Sequence, residues 1–96
     1  TGDSSNDTAF RDAATLLTAR YTLDKGDPQT AIAKLQPLTA STNAWHGLAL
    51  ELTAVAELKS GDKTTAQKDF DSLAKDTTAP QGVRQRAAEM AETLAP

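Results

Sequence analysis

The strongest constraint on this chain is that it repeats itself. Gly26-Asp27 recurs as Gly61-Asp62, and the 35-residue offset between them carries other positions with it. Phe10 falls on Trp45, Ala14 on Ala49, Leu17 on Leu52, Ala19 on Ala54 and Leu23 on Leu58. Beyond the turn, Ala31 falls on Ala66, Leu35 on Phe70 and Leu38 on Leu73. Ala and Leu are common enough for single matches to arise by chance; paired Gly-Asp turns and an aromatic-for-aromatic match are not. Self-similarity at a fixed period of this size marks a chain built from stacked supersecondary units. Each unit has an apolar face that it cannot bury alone, and stacking buries it.

The repeated unit reads as a long helix, a tight turn and a shorter helix. In the first copy Phe10, Ala13, Ala14, Leu17 and Tyr21 recur at helical spacing, with Asp7 or Thr8 as the cap. Gly26 ends that helix, since glycine alone takes the left-handed conformation cheaply. Asp27-Pro28 restarts the chain as a second helix, with Ala31, Ile32, Leu35 and Leu38 along one face and Pro37 loosening its last turn. Asn43 is placed to cap helix three, whose stripe is Trp45, Leu48, Ala49, Leu52 and Ala56. Ser60-Gly61-Asp62 repeats the stop and start, and helix four carries Ala66, Phe70, Leu73 and Ala74. Pro80 opens helix five, with Val83, Ala87, Met90 and Leu94 on one face.

The expected fold is therefore all-α: a right-handed stack of antiparallel helix hairpins, with repeats over about 8–42 and 43–77 and a capping helix over 80–95. Residues 7–96 form one domain, and the polar segment Thr1–Asn6 is expected to be disordered. At 96 residues the core is small, and help from neighbouring segments or a second copy is in keeping with that size.

Composition removes several functional classes. The net charge is −3 with both signs interspersed, whereas nucleic acid and anionic membranes call for a clustered basic face. There is no Cys and one His, so neither a disulfide framework nor a zinc site is available. His46, beside Trp45, reads as a surface or packing residue. Asp69 and Asp71 lie on different helix faces and do not form an acid/base pair; solvated helix faces account for the carboxylates. Gly26, Gly47, Gly61 and Gly82 make no phosphate-cradling loop, and close helix approach explains Gly47 and Gly82. No nucleophile elbow is present. No catalytic residue, metal or cofactor is expected. No apolar run nears the roughly 20 residues that span a bilayer, and no signal peptide opens the chain.

The places occupied by Ala19, Gly26-Asp27, Ala31 and Leu35, and again by Ala54, Gly61-Asp62, Ala66 and Phe70, resemble a tetratricopeptide repeat. The match covers about residues 8–75. It departs from the family pattern at Thr22 and Glu57, where an aromatic is usual, and at Pro37. Three stretches, FRDAATLLTARYTLDKGDPQTAIAKLQPL, NAWHGLALELTAVAELKSGDKTTAQKDFDSLAKD and APQGVRQRAAEMAETL, are similar to the C-terminal part of a proteobacterial membrane-anchored family, that of the ancillary SecYEG translocon subunit. That resemblance implies an envelope scaffold or chaperone-linked adaptor on the periplasmic side of the inner membrane. It also implies that an anchor helix and further repeats precede Thr1.

In such a stack the first helix of each unit lines the inner surface. The register puts Ala13, Leu16 and Arg20 there from helix one, and Leu48, Glu51, Val55 and Lys59 from helix three. Leu16 with Glu51, and Arg20 with Val55, are equivalent positions, and these four residues are the candidate partner groove; Leu16 and Leu48 also suit plain core filling. Trp45 has two readings, an anchor between the units or an exposed binding hot spot. The function expected is a non-enzymatic protein-protein interaction module whose partner is a protein or peptide; the resemblance implies one of the secretion or chaperone machinery. The alternative is a structural domain that self-assembles into homo-oligomers.

Overall fold

A computed structural model describes residues 4–40 and 43–96 of the chain. Among them there are five α-helices, one short 3-10 turn and no strand: α1 (Ser4–Asp24), α2 (Pro28–Leu35), the 3-10 turn (Gln36–Leu38), α3 (His46–Lys59), α4 (Lys63–Ala74) and α5 (Gln81–Leu94). Contacts run chiefly between helices adjacent in sequence, α1 with α2, α2 with α3, α3 with α4 and α4 with α5. The molecule is accordingly a drawn-out body of 53 × 30 × 16 Å.

The two Gly-Asp turns are built alike, atom for atom. Gly26 and Gly61 have φ of 90° and 94°. The Gly26 amide donates to the Leu23 carbonyl at 3.0 Å and the Asp27 amide to Thr22 at 3.2 Å; Gly61 and Asp62 repeat this on Leu58 and Glu57 at 3.1 and 2.9 Å. This pair of bonds is the Schellman ending, which satisfies carbonyls that a helix terminus leaves free. The same Asp then turns its side chain forward. Asp27 Oδ1 accepts from the Thr30 amide and Asp62 Oδ1 from the Thr65 amide, both at 3.2 Å. One dipeptide thus closes one helix and caps the next, in both copies.

Behind the turns the register also holds. Ala19 and Ala54, Ala31 and Ala66, Leu35 and Phe70, and Leu38 and Leu73 are all buried. α3 lies at the centre. Ala49 packs with Leu16, Ala19, Leu35 and Leu38, Ala56 with Leu23 and Ala31, and Ala54 with Ala66, Phe70, Val83 and Ala87. Alanine at these places lets the helices come close. Gly47 does the same at the start of α3, where a Cβ would stand 3.1 Å from Pro80 Cδ.

Several expectations are corrected. α1 begins at Ser4, so Ser4–Asn6 is helical rather than disordered and neither Asp7 nor Thr8 is the cap; Thr1–Asp3 lie outside the described residues. Nothing in this stretch breaks a helix, and an acidic residue suits the first turns. The buried face of α1 is Leu16, Ala19 and Leu23, whereas Phe10, Leu17 and Tyr21 are 80%, 71% and 62% exposed. The equivalent face of α3 meets the preceding helix pair, and no described residue does that for α1. α3 starts at His46, not after Asn43. Asn43 instead organises the turn before it: its Oδ1 accepts from the Trp45 amide at 2.8 Å, and its Nδ2 donates to Asp12 Oδ2 at 3.0 Å. Pro80 is the N-cap residue of α5 rather than its first helical residue. Pro37 does convert the end of the second helix into a 3-10 turn. Gly82 is exposed, and a Cβ there would make only an ordinary 3.5 Å contact with Arg86, so close approach does not explain it.

Candidate groove between the odd-numbered helices

α1, α3 and α5 share one side of the molecule, and between them runs a groove of about 620 Å³. That volume falls in the range of ligand pockets, roughly 300–1,000 Å³. The lining follows the 35-residue register. Leu16, Glu51 and Arg86 are one set of equivalent positions, and Arg20 and Val55 belong to another; all five line the groove. The four candidates Leu16, Arg20, Glu51 and Val55 are therefore brought together, and so are Ala13, Leu48 and Lys59. Leu16 is nearly closed off and belongs to the core of α1–α3, so it forms floor rather than contact surface. Leu48 and Val55 are half-buried and present apolar surface.

Charge is arranged at the two long edges. Glu51 and Arg86 form a two-pronged ion pair, Nε to Oε2 at 2.7 Å and Nη2 to Oε1 at 2.9 Å. Glu51 is well covered and Arg86 about half exposed. The bidentate geometry fixes both side chains more firmly than a single contact would. Arg20 and Lys59 make no ion pair among the described residues and are exposed. The groove thus combines an apolar floor with the cations Arg20 and Lys59 and the exposed carboxylate of Asp24.

Trp45 is half-buried, packs on the Leu16–Leu35–Leu38 cluster as an anchor between the units would, and also lines the groove. Its indole Nε1 is covered and has no acceptor among the described residues. Arg86 is not among the four groove residues that the register names, and Trp45, read from the sequence as an anchor or a hot spot, is not placed in the groove by it. Arg86 was within reach of the register, since it stands 35 residues after Glu51; Trp45 needed the fold, because its equivalent Phe10 points elsewhere.

Asp24, four residues after Arg20 on α1, is exposed and also lines the groove. His46, Asp76 and Glu57 lie off it. His46 is buried at the start of α3. Its Nε2 is 2.8 Å from Thr78 Oγ1 and 3.5 Å from Asp76 Oδ2. The Thr78 hydroxyl donates to Asp76 Oδ1, so Nε2 is the donor toward Thr78. The residue ties the α4–α5 connection to α3, a packing role. The hydrogen bonds from Thr78 hold the Asp76 carboxyl below its ordinary range. Glu57 departs from the solvated-face expectation. Burial, a shared hydrogen bond with Asp69 and the charges of Asp69 and Asp62 push its carboxyl from an ordinary 4.5 up to about 8. In the first unit Thr22 and Lys34 occupy these places, so the repeat gave no hint of the pair. No group of three His, Cys, Asp or Glu among the described residues is placed to hold a metal ion. No helix there is long and apolar enough to cross a membrane.

No protein-family model matches the chain, and no curated protein and no solved structure matches it.

Proposed function

We propose that this chain is a protein-binding module, a stack of tetratricopeptide-like helix pairs that holds a segment of another polypeptide in the groove between α1, α3 and α5. The observation that carries this reading is the composition of the groove: half-buried Leu48 and Val55 beside the exposed charges of Arg20, Asp24 and Lys59, over a floor closed by Leu16. Apolar surface supplies affinity on burial, about 25 cal/mol per Å², and the flanking charges select among partners. The identical Gly-Asp turns and shared buried positions support the stacked-pair architecture. The resemblance to the ancillary SecYEG subunit makes envelope secretion and chaperone proteins the first candidates for the partner.

The test is a photo-crosslinking residue placed at Val55 in cells, with one at exposed Lys68 on α4 as control. Adducts formed from Val55 and absent from Lys68, with an identified protein partner, are the expected result. Equal crosslinking from both positions, or none from Val55, contradicts it. Self-assembly, the alternative reading, would use the exposed stripe of α1 that carries Phe10, Leu17 and Tyr21.

A further inference from the structure

Phe10, Ala14, Leu17 and Tyr21 all stand exposed on α1, in steps of four, three and four. That spacing forms a single straight seam on a helix, the spacing by which helices pair in coiled coils. It is a second apolar face, distinct from the Leu16–Ala19–Leu23 face turned to the core. A small residue at its centre, Ala14, permits close approach. Its length, about 16 Å, is about three helical turns.

The register says what kind of object fits there. The same positions in α3 are Trp45, Ala49, Leu52 and Ala56; Ala49 packs on Leu35 and Leu38, and Ala56 on Ala31, all from the preceding helix pair. In α5 they include Ala87 and Ala91, which pack with Phe70 and Leu73 of α4. Both times the occupant is a helix. The edges of the α1 stripe, however, differ from those of its counterparts. Arg11, Arg20 and Lys25 flank it, all exposed, with Lys25 Nζ 5.3 Å from the Tyr21 ring centre. The equivalent positions are His46, Val55 and Ser60 in the second copy and Gln81, Met90 and Ala95 in the third, none of them Arg or Lys. Among the described side chains the carboxylate beside the stripe is Asp24, at its C-terminal end. In a chain of net charge −3, a cation-edged apolar stripe is a local inversion.

We infer that this face of α1 docks an acidic amphipathic helix, with apolar residues in three-four spacing and carboxylates beside them. Arg11, Arg20 and Lys25 pair with those carboxylates. A second copy of the stripe would bring its own cations against them, which disfavours self-pairing. The site is separate from the groove, although Leu17, Arg20 and Asp24 border both, and the inference does not rest on the groove reading.

The full chain is titrated with two synthetic helical peptides of about 20 residues, each with leucines in three-four spacing, one flanked by glutamates and one by lysines. The glutamate peptide is expected to bind, more weakly as salt rises. Phe10→Asp and Tyr21→Asp, at exposed positions outside the groove, should each weaken it about tenfold or more, with unchanged circular dichroism. Arg11→Glu with Lys25→Glu should move the preference to the lysine peptide. Equal binding of both peptides overturns the inference. So does binding that Val55→Asp abolishes and Phe10→Asp leaves intact, a result that places the peptide in the groove and leaves the groove reading standing. Binding of phosphatidylglycerol vesicles in place of the peptide, or a concentration-dependent dimer lost in Phe10→Asp, overturns it in favour of a lipid surface or a second copy.

Discussion

At the scale of single residues, two backbone positions and one carboxyl carry testable consequences. Gly26 and Gly61 hold φ of 90° and 94° with open space where a Cβ would point, so the cost of a side chain there is conformational and not steric crowding. Gly26→Ala and Gly61→Ala are each expected to cost about 1–2 kcal/mol. In thermal melts that is a fall of about 4–8 °C per kcal/mol for a domain of this size. Glu57 gives a pH dependence of definite sign. Its folded-state pKa is raised, so the folded chain holds the proton more tightly than the unfolded chain does. The associated stability is fully present below about 4.5 and is lost as pH rises through about 8. Glu57→Gln, which cannot ionise, should flatten the decline and melt higher than the parent at pH 8; melts across this pH window measure both. The turn glycines were legible in the sequence, because the Gly-Asp pair says both where a helix ends and where the next begins. Glu57 was not, since its shift comes from Asp69 on another helix and from burial, and the sequence shows neither.

At the scale of helices, the repeat identifies which residues correspond but not which are covered. Ala14 and Ala49 are equivalent; Ala49 is fully buried and Ala14 is exposed. Ala49→Leu should therefore overpack α3 against α2 and cost about 1–3 kcal/mol, while Ala14→Leu should stay within about 0.5 kcal/mol of the parent. Denaturant unfolding of the two variants side by side reads the difference. Phe70, fully buried between α3, α4 and α5, is expected to cost about 3–5 kcal/mol on change to Ala. That loss is large for a domain of this size, and circular dichroism should show partial unfolding of that variant. The face of α1 was misread for a physical reason. Helical periodicity finds apolar stripes, and α1 carries two of them. Only packing decides that Leu16, Ala19 and Leu23 go inward and Phe10, Leu17 and Tyr21 stay out. The late start of α3 was equally hidden, because Asn43 caps a turn rather than the helix.

At the scale of the whole molecule, the proposed function rests on one side of the helices, the groove between α1, α3 and α5. The groove residues named from the register, Leu16, Arg20, Glu51 and Val55, do converge, because equivalent positions on first helices face the same way once the pairs stack. Arg86 completes the set through its ion pair with Glu51, which bridges α3 and α5. Which polypeptide the proposed module holds was not legible in these residues, since it depends on that polypeptide's own sequence. The most direct measurement is methyl-resolved NMR of the full chain, titrated with the segment that crosslinks to Val55. Shifts concentrated on the methyls of Leu48, Leu52 and Val55, with those of Ile32 on α2 and Leu73 on α4 unmoved, are the predicted result. Shifts confined to α2 and α4 would contradict it and place the binding face on the opposite side of the molecule.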